Sequence, residues 1–198
     1  MERRGFSPGV IVPMDTTLFT LINQAHTPRL DDVMLLASAI GRVSFVWLTV
    51  ALIAAVFPKR RMAAWRVGLA VGLSYLVVDG VIKPVADRDR PFQVMADVRL
   101  IDQRPLSGSF PSGHAASAMA GALAVGRLFP AGRIVWWTMA AAIAVSRVYV
   151  GVHWPSDVIS GALIGLAVGW FVLGGRAVPP SGYAEPDGRT AGQPDSPT

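Results

Sequence analysis

Apolar residues come in long runs rather than in alternation. Four or five such runs follow one another, at residues 32–57, 62–82, 113–129, 134–150 and 158–174. Each approaches the roughly 20 residues that cross a hydrocarbon core as a helix, some only with their flanks. Backbone polar groups in lipid must be bonded within their own segment, so the pattern predicts helices throughout. Gly41-Arg42 interrupts the first run, and Asp79 lies inside the second. Residues 14–24 are too short to span but place Leu18, Leu21 and Ile22 at helical spacing, which predicts an interfacial amphipathic helix. In the last run Gly161, Gly165 and Gly169 recur at every fourth position. That spacing either lets helix backbones approach closely or arises by chance in a run so rich in small residues. Trp65, Trp136 and Trp170 fall near run ends, as in an aromatic belt, and Trp47 does not.

The stretches between the runs complete the organisation. Residues 84–112 form the one long polar connection, a length that is usually functional or disordered. From Val178 onward Pro, Gly, Ser and Asp dominate, which predicts a disordered tail. The expected layout is a segment 1–28 with the interfacial helix, a membrane domain 29–176 and a tail 177–198. No apolar run follows Arg3-Arg4 directly, so a cleaved signal peptide is not expected. The fold class this predicts is an all-α integral membrane helical bundle, with about five transmembrane helices plus the interfacial helix.

Composition narrows the classes. Charged residues make up 16% of the 198, against about a quarter in soluble domains, and mean hydropathy is +0.45. With 52% hydrophobic residues the chain as a whole is not disordered. There is no cysteine, which excludes a disulfide scaffold, a cysteine metal site and a cysteine nucleophile. The net charge of +5 is scattered between apolar runs without forming a stripe. That argues against nucleic acid as a partner and for the bilayer with its anionic lipid head groups. Nothing in the sequence sets an oligomeric state.

Helix counting brings the chemistry together. With five alternating helices, Lys83, Arg90, Ser112-Gly113-His114, Ser146-Arg147, His153 and Asp157 fall at one end. Lys59, Arg60, Arg61, Arg66, Arg127, Arg133 and Arg176 fall at the other. Ser112-Gly113 before an apolar run supplies an N-cap and a backbone that a ligand can approach closely. Free N–H groups and the helix dipole there favour an anion. Lys83, Arg90 and Arg147 add point charges and forked donors suited to phosphate oxygens.

His153 and Asp157 are four apart and are expected on one helix face. The carboxylate then fixes the ring tautomer and leaves the other nitrogen free to attack. His114 is the second proton-handling group, giving a proton to the leaving alcohol and later helping water attack. Together they predict a two-step phosphoryl transfer through a phosphohistidine, with no metal or other cofactor, because the cations neutralise the transition-state charge. Asp79, one turn before Lys83, either pairs with it or faces water. Asp87, Arg88 and Asp89 read as a solvated charge run. Arg42 either snorkels or lines the route of the substrate. His26 sits in a loop-like stretch and receives no role.

At these residues the sequence resembles the type 2 phosphatidic acid phosphatase superfamily, which also includes the vanadium haloperoxidases. That signature has three parts. Lys, six residues and Arg-Pro is matched by Lys83 through Arg90-Pro91. Pro-Ser-Gly-His is matched by Pro111 to His114. Ser-Arg, five residues, His, three residues and Asp is matched by Ser146-Arg147, His153 and Asp157. All occur in order without a substitution. The resemblance covers residues 83–157 by motif and about 30–175 by helix pattern. It implies phosphate binding by Lys83, Arg90, Ser112, Gly113 and Arg147, with His153 as nucleophile, Asp157 as its partner and His114 as general acid. It implies a membrane lipid phosphatase. Polyprenyl diphosphate, such as the undecaprenyl carrier of cell-wall synthesis, is the favoured substrate, with phosphatidic acid and phosphatidylglycerophosphate as the other candidates. Many membrane members have one more helix, placed before the counterpart of residues 14–24.

Four positive charges between Pro58 and Arg66 make that connection cytoplasmic by the positive-inside rule. The polar cluster then faces outward from a bacterial plasma membrane, and Arg3 and Arg4 lie on that same outer side. The alternatives are a lipid phosphotransferase using the same site and a non-enzymatic transporter or scaffold. A haloperoxidase is disfavoured by the apolar runs, since those relatives are soluble.

Overall fold

A computed structural model of the chain describes residues 13–175. The expectations for residues 1–12, for Arg176 and for the tail 177–198 lie outside the described residues.

Every regular element among the described residues is a helix, with no strand among them. They form α1 (Pro13–Asn23), α2 (Pro28–Gly41), α3 (Phe45–Ala55), α4 (Arg61–Tyr75), α5 (Lys83–Ala86), α6 (Pro91–Val94), α7 (Gly113–Leu128), α8 (Arg133–Tyr149) and α9 (Pro155–Val172). Local chemistry sets the ends. Thr27 Oγ1 accepts the Leu30 N–H at 3.3 Å, and Pro28 takes the first helical position of α2. Ser112 Oγ accepts from Ala115 N at 3.5 Å and caps α7. The first apolar run breaks at Arg42–Ser44, a short 3₁₀ turn, and α2 and α3 meet there at a 51° bend. Beyond Tyr75, α4 continues as a π-helical stretch, Leu76–Ile82, which carries Asp79. Such widened turns recur at functional sites.

Among the described residues two helical stretches, Pro58–Val94 and Pro155–Val172, are long and apolar enough to cross a bilayer. α2 and α3 make a third if they are one bent span. α7 and α8, at 16 and 17 residues, fall below that length. Leu52, Trp65, Ile134 and Phe171 point outward and are exposed, as on a bundle whose outer surface meets lipid.

α7 sits at the centre, packed against α4, α8, α9 and α3. Its alanines and glycines are buried because neighbours press on it from several sides. Trp47 of α3 is fully buried over Gly121, where a Cβ would collide with the indole. That explains why this tryptophan falls away from the run ends. Gly161 and Gly165 of α9 lie so close to the backbone of Ser112 and Ala116 that no Cβ fits, and Gly169 packs on Ala120. The four-residue glycine spacing is therefore a close-approach seam between α7 and α9. Gly165→Ala is expected to push the two helices apart and to destabilise the protein by about 1–3 kcal/mol, the scale of overpacking. Thermal or denaturant unfolding in detergent micelles checks this.

α1 is docked by a narrow face. Asp15, Phe19 and Asn23, four apart, are buried, while Met14, Leu18 and Leu21 are exposed. Phe19 packs on Trp154 with ring centroids 5.4 Å apart. Asn23 Nδ2 donates to the carbonyls of Arg99 (3.0 Å) and Tyr149 (2.9 Å). Polar groups hold this helix to the bundle and leave its leucines outward.

Candidate active site

The N-terminal end of α7 and the connection before α9 border a cavity of about 250 Å³. Lys83, Arg90, Gly113, His114, Arg147 and His153 line it, together with Arg42 and Asp79. Ser112 and Asp157 stand one layer behind, both fully buried. The end-sorting read from the sequence is thus realised in three dimensions. At the opposite end, Arg127 Nη1 donates to Leu173 O at 3.1 Å, and Arg60 lies 4.7 Å from the Phe129 ring centre.

His153 and Asp157 do not share a helix face, contrary to expectation. His153 lies in the connection before α9, which starts only at Pro155. Asp157 reaches back across the first turn, placing Oδ2 3.5 Å from His153 Nδ1. Both oxygens of Asp157 are heavily used. Oδ2 accepts from Ser109 Oγ at 2.8 Å and from Trp154 N at 2.9 Å. Oδ1 accepts from Arg88 Nη1 at 2.6 Å. Burial, with Arg90 nearby, pushes His153 down to about 3 and outweighs the Asp157 carboxylate. The ring is neutral at physiological pH, which an attacking imidazole requires. Arg90 Nη1 lies 3.4 Å from Nε2.

Arg90 is buried, and its guanidinium is pinned by three carbonyls. Nε donates to Ser107 (2.9 Å), Nη1 to Val152 (2.7 Å) and Nη2 to Gly108 (2.9 Å). A guanidinium keeps its charge at neutral pH. Arg147, at the end of α8, donates Nη1 to Ser38 Oγ and to Asp102 Oδ2, the latter at 3.0 Å. Its Nε is buried without a partner among the described residues. Asp102 also accepts from Ser38 Oγ at 2.6 Å and from Arg42 Nη2 at 3.3 Å. Burial raises the Asp102 carboxyl, but the Ser38 hydroxyl, the Gln103 N–H and Arg147 together hold it below the usual carboxylate range.

The open alternatives now resolve. Asp79 accepts from Lys83 Nζ. Arg42 is half exposed and lines the cavity. Arg88 departs from the solvated run: Asp87 and Asp89 are exposed, whereas Arg88 turns inward. Its Nη1 donates to Asp157 and to Ser156 Oγ (2.7 Å), and its Nη2 to Asp15 Oδ2 (2.7 Å). Sequence reasoning missed Arg88, Asp15, Ser38 and Asp102. No local pattern links Asp15 to a guanidinium 73 positions away. His26 lies apart from the cavity, paired with Asp31 at 2.6 Å and stacked on Tyr149.

The PAP2 superfamily profile matches residues 63–177. The undecaprenyl-diphosphatase of Sulfolobus acidocaldarius is 33% identical over 160 residues, spanning 78% of this chain and 74% of its own. The decaprenylphosphoryl-5-phosphoribose phosphatase of Mycobacterium tuberculosis is 35% identical over 135 residues, spanning 68% and 74%. The crystal structure of LpxE from Aquifex aeolicus superposes with a TM-score of 0.74 at 30% identity, over 82% of this chain and 96% of that one. The matched region holds all three sequence motifs and most of the cavity wall, and the chain belongs to the PAP2 superfamily as a membrane phosphatase.

Proposed function

We propose that the protein hydrolyses a lipid phosphate or diphosphate, polyprenyl diphosphate being favoured, through a phosphohistidine at His153 and without a metal. One observation carries the reading. A single polar cavity gathers two histidines and the cations Arg42, Lys83, Arg90 and Arg147 at one end of a bundle with an apolar exterior. A phosphate placed there meets forked donors and the start of α7. His153 Nε2 attacks phosphorus while the Asp157 carboxylate, 3.5 Å from Nδ1, faces the charge that develops on the ring. The bond to the leaving oxygen breaks, and His114 supplies that oxygen with a proton. Water then attacks the phosphorus–nitrogen bond, gives its proton to His114 and releases phosphate. Arg90 and Arg147 stabilise the charge that develops on the phosphoryl oxygens.

The cavity is far smaller than a lipid, so only the head group enters and the tail stays among helices or in the bilayer. On the reading of five crossings with the Lys59–Arg66 end cytoplasmic, the cavity faces the extracytoplasmic side of a bacterial plasma membrane. A polyprenyl substrate is supported by two relatives whose names specify polyprenyl-linked phosphates. The test is phosphate release by purified protein, with chelator present, from polyprenyl diphosphate, phosphatidic acid and phosphatidylglycerophosphate. Polyprenyl diphosphate is expected to turn over fastest. Release from none of them, or only after metal is added, overturns the reading.

A further inference from the structure

Asp79 is the one carboxylate among the residues lining the cavity. Lys83, one turn on, donates to its Oδ1. Its Oδ2 is buried and has no hydrogen-bond partner among the described residues. That oxygen presses against Gly113, the first residue of α7, where a Cβ would collide with it. The π-helical stretch Leu76–Ile82 carries the residue into this position. A negative group therefore stands between the lysine and the helix N-terminus, the two features best suited to an anion.

A carboxylate there is unexpected in a site that must take phosphate, because like charges repel at close range in a poorly solvated cavity. The repulsion has a use. Inorganic phosphate, the product, carries the same charged oxygens as the substrate head group, and four surrounding cations would retain it. A product that is held tightly leaves slowly, and slow release limits turnover.

We propose that Asp79 is an internal competitor of phosphate: it positions Lys83 for an anion and, by its own charge, weakens the hold on released phosphate. This rests on the cavity being the phosphate site. Asp79 is a positioning residue, and the sign of its effect separates two roles. If it only orients Lys83, removing the charge loosens phosphate. If it competes, removing the charge tightens it.

Asp79→Asn keeps the shape and an acceptor for Lys83 but removes the charge. Full-length protein in detergent is assayed for inhibition by inorganic phosphate, and phosphate binding is measured directly by calorimetry. The variant is expected to bind phosphate roughly tenfold more tightly, the order of one partly screened charge, with a lower KM and a reduced kcat because phosphate leaves more slowly. Asp79→Ala, measured alongside, is expected to shift phosphate affinity in the same direction. Unchanged or weaker phosphate binding in both variants overturns the proposal. Lys83→Met tests the underlying site. If it binds phosphate as tightly as the wild type does, the phosphate is held elsewhere, and both the site reading and the role of Asp79 fall.

Discussion

His153→Ala is expected to abolish phosphate release, by at least about 10³-fold, because the substitution removes the atom that forms the covalent intermediate. The geometry makes this a clean test. His153 is 3% exposed in its side chain and lies outside the helices, so alanine disturbs no helical register. Arg90 remains pinned by Ser107, Val152 and Gly108, so the phosphate donors stay in place. Substrate binding should survive while turnover is lost. A second measurement separates nucleophile from general base. In His114→Ala, given an aryl phosphate whose leaving group needs no protonation, the intermediate forms but its breakdown slows, and a phosphoryl group should be trapped on His153. A phosphorus–nitrogen bond is acid-labile, so quenching in alkali followed by mass spectrometry reads it. Equal rates in wild type and His153→Ala would remove the nucleophile assignment, and a trapped phosphate on any other residue would relocate it.

Arg88→Ala is expected to cost both stability and rate. Arg88 bridges two buried carboxylates, Asp15 at 5% exposure and Asp157 at 0%. Removing one partner of a buried ion pair costs about 3–5 kcal/mol, because the charge left behind is uncompensated. Here two such charges are left. α1 should loosen, since Asp15 anchors it to Arg88 and, through Oδ1, to the Ser156 N–H at 2.8 Å. Asp157 should lose its fixed position beside His153, with a fall in kcat of about 10- to 100-fold, the scale seen when outer-layer partners of a catalytic group are removed. Arg88→Lys keeps the charge but loses the fork, so it should lie between the two. Unfolding in detergent and kcat on a lipid phosphate check these effects. A melting temperature equal to wild type in Arg88→Ala would show that the bridge contributes nothing.

Most of the helices were legible in the sequence. The runs at 113–129 and 134–150 agree within a residue with α7 (Gly113–Leu128) and α8 (Arg133–Tyr149). Apolar runs report helices directly in lipid, because no other open structure satisfies the backbone. The gathering of the candidate residues was also legible, since Lys83, Arg90, His114, Arg147 and His153 sit at or beside helix ends whose order the runs set, and all line one cavity. The i,i+4 inference for His153 and Asp157 found the right pair by the wrong geometry. Trp154-Pro155 delays the helix start, and the pairing comes from a carboxylate folded back over the first turn.

The sequence by itself determined which segments are helical, which end of the bundle holds the chemistry and which residues have the chemistry to bind phosphate. Those are properties of local period and local composition. Only the tertiary structure decided which charged residues support them. Arg88 lies between two exposed aspartates and looks solvated until α1 and α9 are placed around it. Asp102 looks like one half of a loop charge pair until Ser38, Arg42 and Arg147 meet it from two helices and the turn between α2 and α3. The physical reason is range. A helical period repeats within a few residues, whereas the buried ion pair of Arg88 and Asp15 is set by packing between segments 73 positions apart, for which the chain carries no local signal.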